Sequence, residues 1–537
     1  MDSNTTAEDG QVIRQSPDRY LAGLNAATIP QGRLQLSGIG LRIAELHDEL
    51  LAWYRCHNAM LPVAFLPPEV LTYIFTCLAL VDIPYTRYSR GSLGWIQVTH
   101  VCHRWRTLAL QSPSLWADFT FLKGNGTETM MERARQVPLR VKMESTYDGI
   151  SRVLHCIRGR GSQLGLLDLR INTPHRHEAP ALEDSLILSA CPSLRHLSLK
   201  EIFLTWEGLR LSTLVSLKLT YYWVDDTGAD RGRRLPTLTT FVSALREMQN
   251  LQYLALHQAI RPLDAENTAD LAPYAVLPHL SKLSIRFEVP LMLALLQHID
   301  VPLEAEIRVE VRPLLYEIPR HDIGLLLDLL RAHVIAGQPL SIPSIHLRIE
   351  LNMGHGRLPQ VSVTARPLGS LDAAFIAVFP FQSSYQIRDF IHLPELICKL
   401  PFAICCSVEL HAVYTSSDYD SYNVRQWTSL LKNVDLQLPD VHTLTISVNH
   451  PPPLISLLEC CPKVMPELES LVIHLYRIRK YENIQAAVEV LSSCISRGLP
   501  LKTLELHVHE SDGAVIKLMQ QHLKNTVPEI RYVKDLT

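Results

Sequence analysis

The residues of this chain best suited to chemistry are its 23 histidines. The densest group is HRHE at 175–178. Two imidazoles and a carboxylate within four positions are metal-ligand types. The segment lies between Pro174 and Pro180, however, and has no second ligand pair at a recognised spacing. Cys102 and His103 are successive residues, which face different ways on a helix. The 11 cysteines include two adjacent pairs, Cys405–Cys406 and Cys460–Cys461, and no CxxC. An odd count without that spacing points to reduced thiols in an intracellular protein, nuclear or cytoplasmic, where they act as small core residues. No metal or other cofactor is expected.

Covalent and phosphate chemistry fare no better. The sequence has no GxSxG, no HExxH and no GxxxxGK[ST]. GRGSQLG (159–165) is glycine-rich, but it precedes a strand instead of opening a helix after one, and so reads as a turn. The acidic SSDYDSY (416–422) reads as a solvated loop. The aromatic YYWVDD (221–226) reads as a loop partly packed over the edge of the preceding strand. The expectation is a protein without catalysis.

The elements that would position any site must then carry the argument. At 537 residues the chain exceeds what one core usually serves. Its formal charge of −3 argues against nucleic acid as a partner, since phosphate contacts favour a basic protein. The most apolar run, residues 321–337, is short and contains Asp328 and Arg331, so no membrane partner is expected. The polar MDSNTTAEDG start does not resemble a secretory leader.

Residues 1–35 lack periodicity and are expected to be disordered. In 36–60, Leu41, Ala44, Leu51 and Tyr54 fall roughly on one side of a helix. Such a helix is either a coiled-coil arm or a lead-in packed on the next module. Few heptads favour the lead-in. Over 61–120, Pro67 and Pro68 mark a helix start, and Leu71, Ile74, Phe75 and Leu78 form one stripe. A polar interruption (82–94) follows, and then Val98, Val101, Cys102, Trp105 and Ala109 form a second stripe. Ser112-Pro113 should stop that helix, with Leu115-Trp116 folding back as a plug.

After about residue 160 the rhythm changes. LGLLDL (164–169), LRHLSL (194–199), LVSLKL (214–219), LQYLAL (251–256), LSKLSI (280–285), VHTLTI (441–446), LESLVI (468–473) and LKTLEL (501–506) all fit L-x-x-L-x-L, with Val or Ile allowed for Leu. The spacing suits leucine-rich repeats, each a short strand plus a return helix. Helices are predicted at 240–250, 321–337 and 483–498, the last two with Gly and Pro stop signals at Gly337-Pro339 and Gly498-Pro500. Between about 290 and 440 the template fails, although 345–351, 361–365, 374–381 and 407–414 read as strands. Degenerate repeats are the first reading of that region and an inserted subdomain the second.

The stretch from Leu66 to Trp116 resembles an F-box. The family pattern of Leu-Pro-x-Glu, an apolar helix, then Val-Cys-x-x-Trp is matched by Leu66, Pro67, Glu69, Ile74, Phe75, Val101, Cys102 and Trp105. The gap between the two ends is longer here by YTRYSRGSLG. The trailing SPSLW is similar to the version common in fungal F-box proteins, in which a short apolar helix precedes the motif. The downstream strands look like the leucine-rich domains that often follow an F-box. The fold class implied is α/β: a small helical F-box module followed by a leucine-rich-repeat-like α/β solenoid over 139–537, irregular around 290–440.

The resemblance implies the substrate-recognition subunit of a Skp-cullin-F-box ubiquitin ligase. Its partners would be a Skp-type adaptor, a cullin reached through that adaptor, and a protein substrate. Leu66, Pro67, Glu69, Ile74, Val101, Cys102 and Trp105 are the adaptor-site residues carried over. Leu66 and Pro67 would insert against the adaptor, and some of Ile74, Val101, Cys102 and Trp105 would pack inside instead. The alternative is a leucine-rich binding scaffold whose F-box is non-degradative or decayed. On the predicted strands, Arg170, Lys200, Lys218, Lys282 and Arg286 point outward and outnumber Asp168. They form either ordinary solvated surface or one basic stripe for an acidic or phosphorylated substrate segment.

Overall fold

A computed structural model of the chain describes residues 32–87, 90–119, 126–171, 191–206, 209, 211–221, 234–263, 274–311, 324–326, 328–330, 332–333, 345–353, 360–367, 375–380, 405–414, 440–448, 465–475, 481–509, 517, 521–523 and 527–535. The chain divides into two compact units, Met1–Arg140 and Val141–Thr537. The segments HRHE and SSDYDSY, and the stop signal at Gly337-Pro339, lie outside the described residues.

The first unit is mostly helical. It opens with α1 (Gly32–Met60), then a 3-10 turn (Pro62–Phe65), then α2 (Pro68–Val81). Pro68 fits the first turn of α2 because its missing N–H has no partner to lose there. The polar interruption becomes an antiparallel hairpin of β1 (Tyr85–Arg87) and β2 (Arg90–Ser92). A 3-10 stretch (Gly94–His100), α3 (His103–Gln111), α4 (Pro113–Ala117), β3 (Asp118–Phe119) and α5 (Gly126–Ala134) complete the unit.

Two expectations change here. The second apolar stripe is not one helix. It breaks at Val101-Cys102, where Cys102 takes extended backbone (φ −156°, ψ 170°) and caps α3. A 3-10 turn and an α-helix place their side chains with nearly the same short-range spacing, so periodicity merged them. Nor does α1 pack as a lead-in: Leu41, Ala44, Leu51 and Tyr54 are all exposed. The stop at Ser112-Pro113 and the inward fold of Leu115 and Trp116 are both present.

The second unit opens with β4 (Leu139–Ser145), which runs across the boundary, and α6 (Tyr147–Ile157). Then come β5 (Leu164–Ile171), β6 (His196–Lys200), β7 (Ser216–Thr220), α7 (Leu238–Arg246) and β8 (Tyr253–His257). They are followed by β9 (Ala275–Val276), β10 (Lys282–Phe287), α8 (Val289–His298), β11 (Ile299–Asp300) and β12 (Glu306–Val311). Next are β13 (Ile345–Met353), β14 (Gln360–Pro367), β15 (Phe375–Pro380), β16 (Cys405–Tyr414), β17 (Thr443–Val448) and β18 (Ser470–Leu475). The last elements are α9 (Tyr481–Ser496), β19 (Thr503–His509) and β20 (Glu529–Asp535). All eight L-x-x-L-x-L segments carry strands: β5 to β8, β10 and β17 to β19.

These strands pair in parallel, in register, so that like positions stack. Leu167, Leu197, Leu217, Leu254 and Leu283 form one row. Leu169, Leu199, Leu219, Leu256 and Ile285 form the next. Both rows are buried. Each such side chain contributes roughly 1.5–3 kcal/mol relative to exposure, so the ladder is a substantial stabilising feature of the unit. A second ladder runs through Leu444, Leu471 and Leu504, with Ile446, Ile473 and Leu506 beside it. Helix α7 covers part of the core with Phe241, Val242 and Leu245. Gly498 closes α9 at φ +104°, with its N–H bonded to Ile495 O and the Leu499 N–H to Cys494 O. That pair of bonds is the Schellman stop the sequence signalled.

The irregular region joins the same sheet, but out of order. The strand sequence across it is β12, β15, β14, β13, β16. Strands β13, β14 and β15 form an antiparallel meander, parallel to its neighbours at both ends. It continues the sheet while reversing the progression of the chain. The class is α/β with a largely parallel sheet.

Candidate functional site

The site is built from how α2 divides its two faces. Leu71 and Phe75 point inward and are buried. Inside they join Trp95, Ile96 and Val98 of the 3-10 stretch, Ala109 of α3, and Leu115 and Trp116 of α4. Two aromatic pairs lock this core: Phe75–Trp105 at 5.2 Å between centroids, and Trp95–Trp116 edge-on at 4.9 Å. The Trp116 indole N–H donates to Ala109 O at 2.8 Å, which satisfies the one polar group the plug carries inside. The Arg133 guanidinium caps the same ring at 4.4 Å.

The outer face of α2 is also apolar. Tyr73 is 71 % exposed and Ile74 43 %, with Val70 beside them and Phe65 of the preceding turn at 77 %. These residues recur at i, i+3 and i+4, the spacing of a single helix face.

The structure sorts the residues carried over from the resemblance. Leu66 is half-buried and Pro67 exposed. The carbonyl of Pro67 accepts the N–H groups of Val70 and Leu71 and starts α2. Glu69 is exposed in the first turn, where its carboxylate suits the positive end of the helix dipole. Ile74 and Val101 (57 % exposed) face outward. Cys102 and Trp105 are half-buried, with Trp105 packed on Phe75. Arg104, which sequence reasoning missed, ties the two ends together. Its guanidinium donates to Ala64 O and, at 2.5 Å, to Leu66 O. It is a cation in an otherwise ordinary helix, and no spacing signals its reach of nearly 40 residues. Phe65, Val70 and Tyr73 were missed too, although a helical wheel of α2 would have shown its second apolar face.

On the second unit, register places the five outward cations in three rows instead of one stripe. Arg170 and Lys200 are adjacent, in a row that continues through Thr220 and His257 to Arg286 and Glu310. Lys218 lies in the next row, with Asp168, Ser198 and Arg308. Lys282 lies in the third, beside Glu306. Arg170 pairs with Asp168 at 2.8 Å, Lys282 with Glu306 at 2.8 Å and Arg286 with Glu310 at 3.1 Å. The hydrogen-bonded Asp168 carboxylate holds the Arg170 guanidinium above its usual range. Burial, with the charges of Arg286 and Lys218, pushes His257 down to about 4. Tyr221 is buried, and its O–H donates to Ile202 O at 2.8 Å.

Among the described residues, no three His, Cys, Asp or Glu side chains gather to hold a metal, and no helix is long and apolar enough to cross a membrane. GRGSQLG forms a turn and a short 3-10 stretch that lead into β5.

Residues 63–122 match the F-box-like family model, so the chain carries an F-box-like domain over that stretch. Such domains typically bind Skp-type adaptors, which connects the chain to ubiquitin ligase complexes of that type. A search of curated proteins found no match to the chain.

Proposed function

We propose that this chain is a non-catalytic substrate receptor of a Skp-cullin-F-box ubiquitin ligase, acting in the cytoplasm or nucleus. The observation that carries the reading is the two-faced α2. Leu71 and Phe75 are closed inside the unit, while Val70, Tyr73 and Ile74, with Phe65 before them, remain open. An apolar helix face left exposed among the described residues suits a docking surface, and the F-box-like match supports a Skp-type adaptor as its partner, since such domains typically bind one. Pro67, Glu69 and Val101 would add contacts around it. Leu66, Cys102 and Trp105 serve mainly to shape the surface from behind.

The second unit would hold the protein substrate. Stacked leucine rows support a leucine-rich, solenoid-like array, because each strand buries its leucines only with neighbours on either side. The outward positions of the first strands are the proposed contact face, with Arg170, Lys200, Lys218, Lys282 and Arg286. An acidic or phosphorylated segment binding there must displace Asp168, Glu306 or Glu310 from their cations, so it has to supply geometry as well as charge.

Affinity capture of the full chain tests the reading. The expected result is co-purification of adaptor and cullin, lost when Tyr73→Ala and Ile74→Asp are combined. Interface anchors commonly contribute about 2 kcal/mol, or roughly thirtyfold in affinity. Adaptor recovered without cullin would instead support a non-degradative scaffold. Undiminished capture by the double variant would remove α2 from the interface.

A further inference from the structure

Helix α1 displays large apolar side chains to solvent along most of its length. Ile43 is 62 % and Trp53 67 % exposed, and Leu46, Leu50 and Met60 are exposed as well. These are not scattered. Positions 36, 39, 43, 46, 50, 53, 57 and 60 alternate in steps of three and four, and all but His57 are apolar. That is an a/d seam over four heptads, the pattern of a helix that packs along another helix. The side first read from the sequence, Leu41 to Tyr54, lies away from this seam. At 1.5 Å per residue α1 is about 43 Å long, enough for such a contact.

We propose that α1 is a self-association helix that pairs antiparallel with α1 of a second copy of this chain. The flanking residues choose both partner and direction. In a parallel pair His57 would stack on His57 of the other copy within the seam, and Arg42 would lie beside His47. In an antiparallel pair Ile43 meets Leu46 of the second copy and Ile39 meets Leu50, twice over by symmetry. Trp53 then faces position 36, and His57 falls opposite position 32, at the end of the overlap. Arg42, just before Ile43, comes opposite Glu49 of the second copy, giving two cross-copy ion pairs. Arg42 now bonds Glu45 of its own helix at 2.8 Å. Exposed pairs of that kind contribute little and exchange readily. The seam is therefore complementary to itself in shape and in charge.

Sedimentation of the purified full chain at micromolar concentration tests this. The expected mass is twice the 60.7 kDa of one chain. Leu46→Asp should weaken the dimer at least a hundredfold, as should Leu46→Gln, which keeps helix propensity. Asp48→Ala, on the opposite face, should leave it intact. Arg42→Glu should weaken it, and adding Glu49→Arg should restore it. For direction, a mixture of Ile43→Cys and Leu46→Cys chains should cross-link beyond the unaltered chain, and Leu46→Cys alone should not. A monomer at tens of micromolar, a dimer indifferent to Leu46→Asp, or self-cross-linking of Leu46→Cys would each overturn the proposal.

Discussion

Replacing Gly94 with alanine should loosen the F-box-like unit through a backbone contact that no side chain can enter. Gly94 has φ +52°, and a Cβ there meets Asp82 O at 2.5 Å, Pro84 N at 2.7 Å and Ile83 C at 2.8 Å. All three are backbone atoms. The Trp95 N–H donates to the same Asp82 O at 2.8 Å, so residues 82–84 cannot retreat without breaking that bond. Left-handed backbone costs alanine about 1 kcal/mol. Forced overpacking adds about 1–3 kcal/mol. The expected loss is about 3 kcal/mol. Gly159 supplies the comparison: its φ is +77° and nothing lies within 4 Å, so Gly159→Ala carries the backbone term alone. The assay is hydrogen exchange of the full chain. The Trp95 amide of Gly94→Ala should exchange roughly 150-fold faster, and the amides around residue 159 in Gly159→Ala only about fivefold faster. A Trp95 amide accelerated fivefold or less would refute the steric argument.

Trp116→Phe keeps most of the plug but leaves Ala109 O without its indole donor, and should lower the stability of the first unit by about 1–2 kcal/mol in urea unfolding. Leu71→Asp should unfold that unit, whereas Ile74→Asp, one turn face away, should change its melting little; circular dichroism separates the two. Lys282→Ala should alter stability by no more than about 1 kcal/mol, because its pair with Glu306 is partly exposed. Acid should weaken the second unit. His257 is held near 4 when folded, below its ordinary 6.5, so between those values the unfolded chain binds the proton the folded one refuses. Stability therefore falls as pH drops through that window, and His257→Gln should flatten the profile in denaturant titrations.

The leucine strands were legible because a period of two with a fixed offset writes the same face on every segment, and register then stacks Leu167 to Leu283 without further information. The stop of α9 was legible because Gly498 alone tolerates its φ. The order β15, β14, β13 was not, since nothing local in those strands names a neighbour far along the chain. The partners of Lys282 and Arg286 were hidden for a related reason. Glu306 and Glu310 sit on β12, whose EIRVEV fails the leucine template because a glutamate, Glu304, stands where its first leucine would. At the candidate site the motif residues were readable as a group. For Val101, Cys102 and Trp105 the division into inner and outer faces depended on the break at Val101-Cys102, which periodicity cannot see; on α2 the stripe grouped Ile74 with Leu71 and Phe75, although Ile74 faces outward.

The reversed meander has a consequence for how the chain can fold while it is being made. Strands β5, β6, β7, β8, β10 and β12 each join the strand laid down just before them in the sheet, so their part of it grows in step with synthesis. After β12 that stops. Its spatial neighbour, β15, begins roughly 60 residues later, and a ribosome adding about 5–20 residues per second takes several seconds to deliver it. During that interval the hydrogen-bonding edge of β12 is unpaired beside a finished apolar ladder, the arrangement most open to wrong strand pairing. Strand β13, though made first, waits for β14 on one side and β16 on the other. The nascent chain is thus most in need of a chaperone between Val311 and Phe375, and slowing translation there should lower the yield of folded protein more than slowing it among the early strands.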